Sequence, residues 1–70
     1  MRIEKQKYVI HERVRMVSYS EKEIMAGFPA YVVIRELDEE VQEFWEFDDR
    51  MMALAKYYEQ APKERKYGHD

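Results

Sequence analysis

The chain has 70 residues, a formal net charge of −3 and no cysteine, which excludes disulfides and thiolate metal sites. That length supports one small domain, 1–70, and folding at this size hides only about 60% of the chain's surface, so oligomerisation is the expected reinforcement. No stretch approaches the ~18 apolar residues of a membrane helix, and Met1-Arg2-Ile3-Glu4-Lys5 is not a signal peptide, so a soluble cytoplasmic protein is expected.

Residues 1–6 are mostly charged or polar and are expected to be loosely held. From about Lys7 to Ser18 the pattern has period two. Tyr8, Ile10, Val14 and Met16 share one parity, His11, Arg13 and Arg15 the other, and only Glu12 interrupts the apolar face of the predicted strand. Ser20-Glu21-Lys22-Glu23 matches a capping box and opens a short helix that Gly27 and Pro29 bring to an end. Residues 30–36 are rich in β-branched and aromatic side chains. They predict a strand apolar on both faces, Tyr31 and Val33 on one and Val32 and Ile34 on the other.

Two readings fit the next segment. Val41, Trp45 and Phe47 match strand parity after a polar hairpin loop at 38–40, whereas a long helix starting at Asp38 would also align Val41, Phe44, Trp45, Met51 and Leu54. The hairpin is preferred because aromatic residues favour pleated surfaces. Asp48 and Asp49 then cap a helix over about 49–60, with Met51, Leu54, Ala55 and Tyr58 as its apolar stripe and Pro62 beyond its end. The charged tail 63–70 is expected to be mobile.

These elements predict an α+β fold: a three-stranded, mainly antiparallel sheet with a short helix after the first strand and a C-terminal helix packed on one face. One helix covers one face. The other still carries the apolar residues of the middle strand, and a homodimer is the expected cover, with packing of the short helix as the alternative.

Catalytic chemistry is sparse. There is no Cys or Thr, the serines are Ser18 and Ser20, and the latter is explained as a cap. His11 and Glu12 are adjacent on a strand and point to opposite faces, and no glycine-rich phosphate loop is present. No enzyme activity, cofactor or metal is expected.

Charge is unevenly distributed. Residues 36–49 hold eight carboxylates (Glu36, Asp38, Glu39, Glu40, Glu43, Glu46, Asp48 and Asp49) and no Lys or Arg, so this stretch is −8 in a chain of −3 and the other 56 residues carry +5. Leu37, Val41, Phe44, Trp45 and Phe47 are threaded among the acids, which argues against a disordered tail. A folded acidic array suits a basic, DNA-binding partner; equally, the carboxylates could keep an aromatic hairpin soluble and protect a sheet edge. A second candidate surface is the basic stripe His11, Arg13 and Arg15, which could grip nucleic acid directly.

In size, in lack of catalytic chemistry and in the acidic residues 36–49, the chain resembles the small phage-encoded host-takeover proteins that imitate DNA, and most of all the inhibitor of the bacterial nucleoid protein HU. The resemblance implies a dimer that occupies the DNA-binding groove of a basic host nucleoid protein in the cytoplasm, with the eight carboxylates as the partner-binding residues. A chain of −3 is less acidic than that class, so the implication requires a fold that segregates the two signs.

Overall fold

The computed structural model describes residues 1–62. Along the chain lie β1 (Arg2–Val9), β2 (Glu12–Ser18), α1 (Glu21–Met25), β3 (Tyr31–Leu37), β4 (Glu40–Phe47) and α2 (Arg50–Gln60). The four strands form one antiparallel sheet in the order β1-β2-β3-β4. The α+β class and the C-terminal helix agree with the sequence reading. The strand count does not, and the short helix follows the second strand. The tail 63–70, with His69 and Asp70, lies outside the described residues.

The additional strand comes from residues expected to be loose. The predicted strand 7–18 reverses at Ile10 and His11, and β1 runs back along β2 with Tyr8 opposite Arg13 and Lys7 opposite Val14. This turn carries none of the usual marks. Ile10 adopts a positive φ of 52° without glycine or asparagine, a conformation in which a β-branched residue is strained. The reversal also breaks the parity count, because Tyr8 shares a face with Arg13, opposite to Val14 and Met16. The charged residues of β1 suit an exposed edge strand.

Between β3 and β4, Asp38 and Glu39 form a two-residue turn with φ of 51° and 68°, the pair of left-handed residues that a type I′ hairpin requires. The hairpin reading of 38–47 is therefore correct. A register shift between Arg35 and Glu36 then leaves Gln42 as an extra residue and turns Val41 away from the side of Trp45 and Phe47.

α1 begins with the expected reciprocal cap: Glu23 N–H donates to the Ser20 hydroxyl at 3.3 Å, and Ser20 N–H donates to the Glu23 carboxylate at 2.9 Å. α2 is capped by Asp49, whose Oδ2 accepts from Met52 N–H at 3.1 Å. The core joins Val14 and Met16 of β2 and Val33 of β3 to Ala53 and Tyr57 of α2, with Tyr31, Trp45, Phe47 and Leu54 packed around them. The seam of α2 is thus displaced from the expected stripe: Met51 and Tyr58 are exposed, while the small Ala53 lets the helix lie close on the sheet.

Candidate functional site

β4 is an edge strand with Glu40, Glu43 and Glu46 and no basic residue. Pairing in the sheet assigns its charges to faces, since cross-strand partners share a face. Glu43, opposite Arg35, lies on the helix side, and Glu46, opposite Val32, on the open side. Asp38 and Glu39 occupy the turn before the strand, and Asp48 and Asp49 follow it. At ~3.3 Å per residue, the eight residues of β4 hold these two ends about 26 Å apart.

Charge changes steadily across the sheet. β1 carries +2 (Arg2, Lys5 and Lys7 against Glu4), β2 +1 (Arg13 and Arg15 against Glu12), β3 zero (Arg35 against Glu36) and β4 −3. One edge of the sheet is basic and the opposite edge acidic.

Two of the acidic candidates are committed elsewhere. Glu36 is only 6% exposed and sits on the open face between two guanidinium groups: Arg13 Nε donates to its Oε1 at 2.6 Å and Arg15 Nη2 to its Oε2 at 3.5 Å. The Arg13 hydrogen bond, helped by the charges of both arginines and opposed by desolvation, holds the Glu36 carboxyl below the usual carboxylate range, and the same contact raises Arg13. Glu36 therefore leaves the acidic surface expected of it, and held ionised in this way it makes a poor proton acceptor. Asp49 is occupied as a helix cap. Glu43 is partly engaged, accepting from Arg35 at 3.4 Å, while Arg35 also donates to Glu12 at 2.8 Å.

The basic stripe is also rearranged. Arg13 and Arg15 do share a face, but both are turned to Glu36, and His11 belongs to the β1–β2 turn, where its Nδ1 lies 3.0 Å from Asp38 Oδ1. Asp38 N–H donates to the His11 carbonyl at 2.8 Å, so the two hairpin tips are tied side by side. Tyr8, His11, Arg13, Glu36 and Glu39 line a shallow cleft of about 430 Å³ at this end of the sheet.

Most of the rest of the open face is apolar, with Glu46 at the margin. Val32, Ile34, Val41 and Phe44 line an open groove bounded by Pro29 and by Phe28, which stacks on Tyr19 with ring centroids 5.0 Å apart. Periodicity foretold the Val32 and Ile34 part of it. Val41, displaced by the register shift, and Phe28, brought in by the loop after α1, had no signal in the sequence.

Among the described residues, no three His, Asp or Glu side chains are grouped to hold a metal ion, and no helix is long and apolar enough to cross a membrane. No protein-family model, curated protein or solved structure matches the chain.

Proposed function

We propose that this protein is a non-enzymatic binding module that inhibits a basic nucleoid protein of the HU type by imitating DNA, with the β4 edge and its flanking turns as the docking surface. The observation that carries the reading is the gradient from +2 on β1 to −3 on β4, which segregates the two signs in a chain of only −3. Asp38, Glu39, Glu40, Glu43 and Asp48 are exposed along that edge. A DNA-binding groove is built to neutralise a line of fixed anions, and a strand holds carboxylates in such a line without further ordering cost. Glu36 is excluded from this surface by its arginines. Arg13 and Arg15, neutralised in part by Glu36, are poorly disposed to grip phosphate.

The test is competition: purified HU-type protein is bound to labelled duplex DNA and titrated with this protein at low and high salt. Displacement is expected at about 50 mM salt and should fall steeply by about 500 mM, where the screening length drops to a few ångströms. Changing Glu39, Glu40, Glu43 and Asp48 together to Gln or Asn should weaken displacement by at least about tenfold. Equal displacement at both salt concentrations, or full activity of the neutralised variant, would overturn the proposal.

A further inference from the structure

We infer that the helix-side flank of β1, built from Arg2, Lys5 and Lys7 with Arg50 and Tyr58 of α2, is a binding surface for a single strand of nucleic acid. It is independent of the acidic edge and of the inhibition proposed for it. α2 packs on β2, β3 and β4 and leaves β1 uncovered, so this flank lies open beside the helix. Val14 and Met16 face α2, and their cross-strand partners Lys7 and Lys5 therefore lie on the same side. The register shift between Ile3 and Lys5 brings Arg2, opposite Ser18, to that side as well, where a regular strand would turn it away. Nothing in the sequence announced this alignment, because residues 1–6 carry no strand pattern.

The flank is strongly basic. Against Arg2, Lys5, Lys7 and Arg50 stands Glu4, which is already shared: it accepts from Ser18 Oγ at 2.7 Å and lies 3.7 Å from Arg2 Nε and 3.9 Å from Arg50 Nη2. Four cations and one carboxylate leave +3 in a chain of −3. Glu12, on the same side of β2, is paired with Arg35. The acidic β4 edge is three strand spacings away, about 14 Å, beyond the screening length of about 10 Å at 0.1 M salt. A phosphate at β1 meets these cations and little of the opposing field.

The aromatic ring among the cations selects the ligand. Lys5 and Lys7 are rooted about 6.6 Å apart on an edge strand, so one extended backbone can meet both. Tyr58 is 61% exposed, with Lys5 Nζ 5.6 Å from its ring centroid and Tyr57 set edge-to-face against it. A held, exposed ring beside cations is a stacking platform for an unpaired base. A single strand uses the ring and the cations together. A duplex, whose bases are already stacked, uses the cations alone, and an acidic peptide lacks the flat π-surface.

Fluorescence anisotropy with the full chain and a labelled thymidine strand of about 12 nucleotides tests this, with far-UV circular dichroism to show that each variant is folded. Saturable binding is expected, with a dissociation constant between about 1 and 100 µM at about 0.1 M salt. With about three to four phosphate contacts at a slope of about −0.7 each, affinity should fall about tenfold to twentyfold between about 0.1 and 0.3 M salt. Arg2→Gln combined with Lys5→Gln should weaken binding at least about tenfold and reduce the slope by about 1.4. Tyr58→Ala should weaken it at least about fivefold with the slope unchanged, and Tyr58→Phe should restore it. Neutralising Glu39, Glu40, Glu43 and Asp48 should not weaken it. No binding at several hundred micromolar protein, tighter binding of the matched duplex, displacement of the strand by polyglutamate as readily as by unlabelled strand, or full binding by the Arg2→Gln/Lys5→Gln variant would each overturn the inference. No HU-type protein enters this assay, so its outcome is separate from that of the displacement test.

Discussion

Replacing Glu36 by Gln keeps the shape of the side chain and removes its charge, which isolates what the Arg13–Glu36–Arg15 cluster contributes. The 2.6 Å bond from Arg13 is charge-assisted and contributes roughly 1.5–3 kcal/mol; the 3.5 Å contact from Arg15 is too long to add much. Without the carboxylate, two guanidinium groups rooted two residues apart on one face, about 6.6 Å, repel by about 1 kcal/mol after screening. The Gln carbonyl can still accept one ordinary hydrogen bond, which returns about 1 kcal/mol. The net loss is about 1.5–3 kcal/mol. A 70-residue domain has only about 3.5–10 kcal/mol in total, so Tm should fall by about 10–20 °C. Urea unfolding followed by circular dichroism, at a fixed low protein concentration, measures the difference. Glu36 has its carboxyl depressed below the ordinary 4.5, so its contribution is fully present above pH 4.5 and is lost as pH falls through the lower folded value. The wild type and Glu36→Gln should therefore differ most near neutral pH and converge in acid. Glu23 and Glu59, also depressed, respectively by the Ser20 cap and by Lys56, are common to both proteins and cancel in the comparison. A difference under about 0.5 kcal/mol at pH 7, or one that persists undiminished in acid, would refute the account of the cluster.

Met16→Ala empties a fully buried site under α2 and should cost about 2–5 kcal/mol in the same urea assay. Asp49→Ala removes the α2 cap and should cost about 1 kcal/mol, with amide exchange accelerated first at Met52, whose N–H loses its acceptor. Glu39→Gly relaxes a φ of 68° and should stabilise the protein by up to about 1 kcal/mol while weakening the proposed displacement of DNA.

The parts of the fold that were legible in the sequence are those that rest on local rules. The Ser20–Glu23 box, the Asp49 cap, the two-faced strand Tyr31–Leu37 and the inward Trp45 and Phe47 all follow from chemistry within a few residues. The misreadings come from events that local rules do not encode. Ile10 turns the chain where no turn residue stands, so one predicted strand is two, and Tyr8 changes face. A one-residue register shift at Arg35/Glu36 does the same to Val41. The acidic run was legible as charge but not as geometry. Glu36 resembles its neighbours in sequence, yet pairing of β2 with β3 sets Arg13 directly opposite it and withdraws it from the surface.

Edge protection explains only part of the acidity of β4. Charges in the middle of an edge strand discourage another strand from pairing with it, and Glu43 and Glu46 suffice for that. The turn carboxylates guard no unpaired strand. A type I′ turn is most stable with Asn-Gly or Asp-Gly, and Glu39 occupies the second position at the expense of a strained φ. Asp38 is bound to the neighbouring hairpin by its backbone and by His11, which fixes the direction in which the tip presents its charge. Glu39 thus costs backbone energy and adds nothing to the core, while Asp38 is the tip carboxylate held in place, and both fit the proposed docking role of the edge better than a role in the stability of the fold.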